Sequence, residues 1–387
     1  VIVIDDTQRR ARLAMRHLLA TSGETRDAVG VTRALVALHS TDPASVYLAA
    51  TSRGATQAEL EHALYTEKTL VRMLGMRRTV FVVPTDFAPI VHAAATRAIA
   101  TRERGRLIGF IEASGLTKDG VTLLARLEEA ALTVIVKRGE AFGVDIGESV
   151  PGLRQQITID GGKQNLTGRV LFILAAEGRI VRGRPRGSWI SSQYSWSPAP
   201  VEPPTAAELP TPEAQIELAR AYLRSFGPAS QADVQWWTGW TAGETKKAIA
   251  GLETVAVQLE TGKGLVLADD AEPVAEPSPV ARLLPALDPT VMGWKERGFY
   301  LAAAHRSPAR GLFDRSGNPG PTIWWGGQIV GGWAQRASGE VVTRLLTNVE
   351  REGQQAIESA AQQTAAEIGS ARVTPRFRTP LERELTA

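Results

Sequence analysis

The chain of 387 residues contains no cysteine. That excludes disulfides, thiolate nucleophiles and Cys-ligated zinc, and it suits a reducing cytoplasm. Histidine is scarce as well. His17, His39, His62, His92 and His305 form no His-x-x-x-His pair, so neither a transition-metal enzyme nor any cofactor is expected. Apolar runs such as Val80 to Val83 fall far short of the roughly 18 residues that cross a bilayer. The opening "VIVIDD" has acids where a secretory leader carries basic residues, so no export signal is expected. There is no Gly-x-x-x-x-Gly-Lys-Ser/Thr loop, no Gly-x-Gly-x-x-Gly turn and no Gly-x-Ser-x-Gly elbow. Nucleotide hydrolysis, dinucleotide binding and serine hydrolase chemistry lose their usual support.

One further absence is local. No acid stands between Glu177 and Glu202, although the net charge of the whole chain is only +3. Inside that window Arg179, Arg182, Arg184 and Arg186 crowd into "GRIVRGRPRGSW", followed by Trp189, Ser191, Ser192, Gln193, Tyr194 and Trp196. Clustered arginines among aromatic and hydroxyl side chains are what a phosphate-tracking surface needs; a merely solvated face is the competing explanation. Arg77 and Arg78 either extend the same surface or form structural ion pairs. Trp236, Trp237 and Trp240 fall at helical spacing and read as core.

Two proline-rich stretches, Ser197 to Ala214 and Ala271 to Pro289, read as linkers or domain edges. Between them, helical spacing over Glu213 to Phe226 ends at Gly227-Pro228, Ser230 is suited to cap a second helix, and "TAGETKKAIAGLE" supplies a third. "VAVQLE" and "GLVLAD" then alternate about Thr261 to Gly264 as a hairpin. Three helices and a two-stranded wing make a winged helix-turn-helix. The same order recurs upstream: a helix at Val121 to Val136, a buried stripe in "NLTGRVLFILAAEG", and the arginine-rich segment as wing. A looser first copy has helices at about Gln8 to Ala20, Thr32 to Leu38, Gln57 to Tyr65 and Phe87 to Arg102, with "MRRTVFVVP" extended. At the C-terminus, "RGFYLAAA", "TIWWGGQIVGGWAQRASG" and "EVVTRLL" read as strands with a Gly326-Gly327 turn, and "EREGQQAIESAAQQTAAEIG" as one long helix. The expected fold is α+β: tandem winged helix-turn-helix domains at residues 1–115, 116–200 and 206–272 forming a concave surface, then a β-rich domain with a terminal helix at 280–387.

The stretch "ALHSTDP", Ala37 to Pro43, sets an imidazole and a carboxylate together after an apolar helical run. It reads either as a helix stop, since Pro, Ser, Thr and Asp favour helix ends, or as the mouth of a site.

Six segments in order, "ALVALHSTDPASVYLAATSR", "LVRMLGMRRTVFVVPTDF", "GRIVRGRPRGSW", "FGPASQADVQWWTGW", "LLPALDPTVMGWKER" and "GQIVGGW", span nearly the whole chain. Together they resemble the winged-helix superfamily of bacterial DNA glycosylases, AlkZ-like and YcaQ-like, that excise alkylated purines and unhook interstrand crosslinks. The catalytic motif of that superfamily is Gln, any residue, then Gln or Asp; here His39 stands for the first and Thr41 for the second, with Asp42 adjacent. The resemblance implies a monofunctional glycosylase that binds duplex DNA as a monomer in the cytoplasm, associated with the nucleoid. His39, with an ordinary pKa near 6.5, would accept a proton from water, Thr41 would orient that water, and Asp42 would offset the cationic sugar or fix the imidazole. Arg179, Arg182, Arg184, Arg186, Trp189, Ser191, Ser192, Gln193, Tyr194, Arg77 and Arg78 would hold DNA. A winged-helix regulator or lesion sensor without chemistry shares these features, and so, less closely, does a small-molecule sensor.

Overall fold

A computed structural model of the protein describes residues 2–20, 26–159, 161–199, 209–305 and 311–387. Helices and antiparallel sheets alternate along the chain in a mixed α+β arrangement. Helix α1 (Asp6–Arg16) begins where Asp5 accepts from the Gln8 amide at 2.8 Å, and α2 (Ala28–Ala34) begins at Asp27 in the same way. The apolar spacing predicts a helix through Leu38, yet α2 stops four residues earlier. Val36 takes a left-handed φ of 63°, which turns the chain into β1 (Leu38–His39). Asp42 then caps α3 (Pro43–Thr51), with Pro43 in its first turn, where a missing N–H costs nothing.

Strand β1 pairs with β3 (Thr79–Pro84), which pairs with β2 (Leu70–Gly75), in the order β1-β3-β2. The β2–β3 hairpin turns through Arg77 and Arg78, both at positive φ (55° and 59°). Register places Leu38 opposite Val82 and Val82 opposite Arg72; His39 is opposite Phe81, and Phe81 opposite Met73. Side chains alternate along strands, so Leu38, Val82 and Arg72 share one face and His39, Phe81 and Met73 the other. The helical run that follows ends in α4 (Arg97–Ala113).

Helix α5 (Gly120–Arg138), β4 (Ala141–Phe142), α6 (Leu166–Ala176), β5 (Ile180–Pro185) and β6 (Tyr194–Pro198) enclose a separate core that includes Leu124, Ile135, Leu166, Val170 and Leu174. Strands β5 and β6 are the arms of the arginine-rich segment, with a register shift between Arg182 and Pro185. Then come α7 (Thr211–Phe226), α8 (Gln231–Thr238) and α9 (Ala242–Ala250). The last two start in reciprocal caps, Ser230 with Asp233 and Thr241 with Glu244. The hairpin β7 (Thr254–Leu259) and β8 (Gly262–Leu267) is joined in parallel by the strand Ile2–Val3.

The C-terminal sheet is β9 (Ala281–Leu284), β10 (Thr322–Trp325), β11 (Gln328–Gln335) and β12 (Val341–Leu345), in that order and antiparallel. Gly326 and Gly327 at φ 54° and 82° make its tight turn. Helix α10 (Arg351–Ile368) packs on the sheet, and α11 (Pro380–Thr386) ends the chain. The stretch Ala271 to Pro289, read as a linker or domain edge, is bonded to α1 in its first half, where Gln8 exchanges hydrogen bonds with Val274 and Arg12 donates to the Glu272 carbonyl, while Leu283 and Leu284 are buried in β9 and Asp288 is wholly buried. "RGFYLAAA" is not a strand: its alternation comes from Phe299, Tyr300 and Leu301 packing in turns against Trp294. Of the stretch Ser197 to Ala214, residues 200–208 lie outside the described residues. The same core takes in Tyr222, Phe226 and Trp237, so α7, α8 and the C-terminal part share one interior. Among the described residues no helix is long and apolar enough to cross a membrane.

Candidate functional site

The turn after β1 departs from the helix-stop reading of "ALHSTDP", because α2 already ends at Ala34 and a strand intervenes. It is a helix start: Asp42 Oδ1 accepts from the Ala44 amide at 3.1 Å. It is also a junction, because Asp42 Oδ2 accepts from the Arg376 amide at 2.9 Å, and the Arg376 guanidinium donates to the Thr41 carbonyl at 3.3 Å. Burial raises the pKa of Asp42, against the pull of these amides and of the Arg376 charge. Thr41 is half-buried.

His39 is only 9 % exposed, stands edge-on to Phe81 at 5.2 Å, and its Nδ1 has no hydrogen-bond partner. Burial, and next to it the Arg77 charge, lowers its pKa to about 3. The imidazole is therefore neutral at working pH and a poor proton acceptor, unlike the ordinary histidine that the sequence suggests. No hydrogen bond joins it to Asp42 among the described residues, so Asp42 does not fix its orientation.

On the opposite face of the sheet stands Arg72, 3 % exposed. Its Nε donates to Ser40 Oγ at 3.0 Å, its Nη1 donates to the Tyr65 hydroxyl, and its guanidinium lies over the Tyr194 ring at 4.8 Å. Arg182, from β5, lies over the same Tyr194 at 5.4 Å and over Trp196 at 5.5 Å. Between β2 and β5 opens a cavity of about 380 Å³ whose lining includes Tyr65, Lys68, Arg72, Arg138, Arg182 and Arg184. Nearby, a second cavity of about 550 Å³ is lined by Arg154, Asn165, Thr167, Arg182, Arg186 and Gln193, among others.

The arginines of the wing differ. Arg179 is paired with Glu129 at 2.6 Å and Arg184 with Glu61 at 3.2 Å, while Arg186 is exposed over Phe142 at 4.2 Å. Ser192 and Gln193 are exposed, and Ser191 accepts from the Gln193 amide. Trp189 is turned inward, 5.3 Å from the Tyr47 ring, and fills the seam between the first module and the C-terminal sheet. Arg78 is ion-paired with Glu103 at 2.6 Å, and Arg77 stacks on Trp236 at 4.2 Å, against Gly239. Trp237 and Trp240 are core.

The structure thus brings Thr41, Asp42, Tyr194 and Arg182 to one side and His39 with Arg77 to the other. Arg72, Tyr65 and Arg376 were not singled out from sequence. A lone arginine inside the apolar strand "LVRMLG" was the available signal for the first; Arg376 had none. Among the described residues there is no group of three or more His, Asp or Glu that could hold a metal ion.

The profile of the family described as DNA glycosylase AlkZ-like matches residues 32–367. No curated protein matches. Among solved structures, the Streptomyces sahachiroi DNA glycosylase AlkZ superposes with a TM-score of 0.69 at 20% sequence identity, covering 97% of this chain and 100% of that one, so the two share a fold.

Proposed function

Because the chain belongs to the AlkZ-like DNA glycosylase family, we propose that this DNA glycosylase is monofunctional and hydrolyses the N-glycosidic bond of bulky or crosslinked N7- or N3-alkylated purines in duplex DNA. On this reading the three helix-and-hairpin units are tandem winged helices around a concave DNA surface, with the arginine wing following phosphates. An alkylated purine already carries positive charge, so it leaves without a general acid. What the protein must supply is a placed water and a field that favours the oxocarbenium-like sugar.

The observation that supports the mechanism is the buried Asp42 carboxylate, held by the Ala44 and Arg376 amides on the side that carries Tyr194 and Arg182. Asp42 contributes negative charge toward the cationic sugar while its two backbone partners hold it in place, and Thr41 orients the water. The neutral His39, on the other side, packs against Phe81 and supports the turn without adding a charge that repels a developing cation. An open site is expected, because a crosslinked base cannot be fully extruded into a closed pocket.

The experiment is base release from a panel of alkylated duplexes by wild type, Asp42→Asn and His39→Gln. Release by wild type and His39→Gln, with loss in Asp42→Asn, supports the assignment; equal turnover in all three overturns it. The burial of His39 favours a second reading, lesion binding without chemistry, for which a salt-sensitive gel shift without released base would speak.

A further inference from the structure

Buried guanidinium groups are ordinarily matched by a carboxylate, because an unpaired charge away from water is costly. Arg53 meets that rule with Asp288, and the half-buried Arg104 likewise pairs with Glu128 and Glu177. Arg72 does not. Its described partners are a serine hydroxyl, a tyrosine hydroxyl and two aromatic faces, and its Nη2 has no hydrogen-bond partner although it is buried. The hydroxyl of Tyr194, 8 % exposed and stacked between Arg72 and Arg182, is likewise without a partner. Arg182 makes no ion pair among the described residues, and its nearest charged neighbours, Arg72 and Arg376, repel it. Two guanidinium groups flank an unfilled phenol without an ion pair, and Asp42, the acid that acts on that phenol, is taken by the Ala44 and Arg376 amides, so the site lacks its anion.

The adjoining cavity supports this. Lys68, Arg72, Arg138, Arg182 and Arg184 line it, against one acid, Glu140, whose carboxylate is taken by the Ser195 hydroxyl. Arg184 is shared with Glu61, and Lys68 and Arg138 are exposed at the rim, so the positive charge withdrawn from solvent without an acidic partner lies at Arg72 and Arg182.

We infer that Arg72 Nη2, Arg182 and the Tyr194 hydroxyl form a subsite for one phosphodiester of the DNA backbone, in the cleft between β2 and the wing. The Arg72 Nε–Ser40 Oγ bond then ties the occupied subsite to the turn that carries Thr41 and Asp42. The subsite fixes the strand relative to that turn. This inference rests on the glycosylase reading for its ligand, since the same chemistry also suits a free phosphate or phosphomonoester.

The test is fluorescence anisotropy on duplexes in which a single neutral methylphosphonate replaces successive backbone phosphates, with wild type, Arg182→Gln and Arg72→Lys. At one position neutralisation is expected to weaken wild type about tenfold and to leave Arg182→Gln unchanged, and the salt slope of Arg182→Gln is expected to be lower by about 0.9. Arg72→Lys keeps the charge but loses the fork, so it is expected to show an intermediate loss at that same position. If every position weakens wild type and Arg182→Gln alike, or wild type fails to bind duplex at low salt, the subsite is wrong. Protection of wild type but not Arg182→Gln by millimolar inorganic phosphate, without any position-specific effect in DNA, would assign the site to a free anion and overturn the DNA assignment. Base release is scored separately: a position-specific effect without any released base keeps the subsite and removes the glycosylase reading, whereas release without a position-specific effect does the reverse.

Discussion

Arg53 and Asp288 meet in a two-pronged ion pair, 2.9 and 2.8 Å, with both side chains wholly out of solvent. The pair joins the end of α3 to the segment that follows β9, 235 residues away in sequence. The remaining donors of Arg53 are used by the His17 and Ala49 carbonyls and the hydroxyls of Ser52 and Thr290. Asp288→Ala leaves that guanidinium buried and unpaired, and is expected to cost about 3–5 kcal/mol of stability. The double variant Arg53→Met with Asp288→Leu is expected to cost less than Asp288→Ala alone. Urea unfolding of the three proteins checks the order, and equal loss in both variants would show that the charges are not the reason.

His39 gives a pH signature. Its folded-state pKa, about 3, lies below the ordinary value of 6.5, so between those values the unfolded chain binds the extra proton and stability rises with pH. The penalty is absent above about pH 6.5 and grows as the pH falls. At pH 5 it amounts to about 2 kcal/mol relative to neutrality. His39→Gln is expected to remove that share of the acid sensitivity, leaving the contributions of His17 and His92, whose pKa values burial also lowers. Base release by wild type is expected to be flat from about pH 6 to 8, because the imidazole does not titrate there. A rate rising through pH 6.5 and abolished in His39→Gln would restore a proton-accepting role.

The sequence carried its local signals well and its long-range ones poorly. Ser230 starts a helix, Gly227-Pro228 ends one, and Gly326-Gly327 turns a hairpin, because each needs only neighbouring backbone groups. The end of α2 has no local signal, since the left-handed Val36 accompanies packing that brings Leu38 against Val82. "RGFYLAAA" alternates like a strand, but its aromatics fill an interior shared with α7 and α8. The site shows the same division. His39 and Arg182 stand out in the sequence as candidates; that a strand sets His39 on the face away from Arg72 depends on register, which no short motif encodes. Arg376 reaches Asp42 across 334 residues, and only the folded chain shows it.

The four arginines of the wing are expected to contribute unequally to DNA binding. Arg186 is exposed without an acidic partner among the described residues, whereas Arg179 is shared with Glu129. Arg186→Ala is expected to lower the slope of log affinity against log salt by about 0.9, the signature of one lost phosphate contact, and Arg179→Ala by distinctly less. Titration of one duplex at several salt concentrations measures both. The reverse order would mean that the Glu129 pair opens on binding and that Arg179 tracks the backbone.

Asp42 combines two duties that substitutions separate. Its carboxylate accepts from the Ala44 amide and from the Arg376 amide, so it caps α3 and pins the C-terminal segment to the turn. Asp42→Ala removes both acceptors and is expected to cost about 1–2 kcal/mol of stability. Asp42→Asn keeps an acceptor for the cap but removes the charge. Because a carboxylate buried beside the turn acts on a cationic sugar through a low dielectric, Asp42→Asn is expected to slow base release at least tenfold while lowering the melting temperature less than Asp42→Ala, since it loses only the bond to the Arg376 amide. Thermal melting and single-turnover release on the same preparations decide between the duties. Activity that follows stability through both variants would leave Asp42 a cap alone, with the stabilising field left to come from the leaving base and the phosphates that flank it.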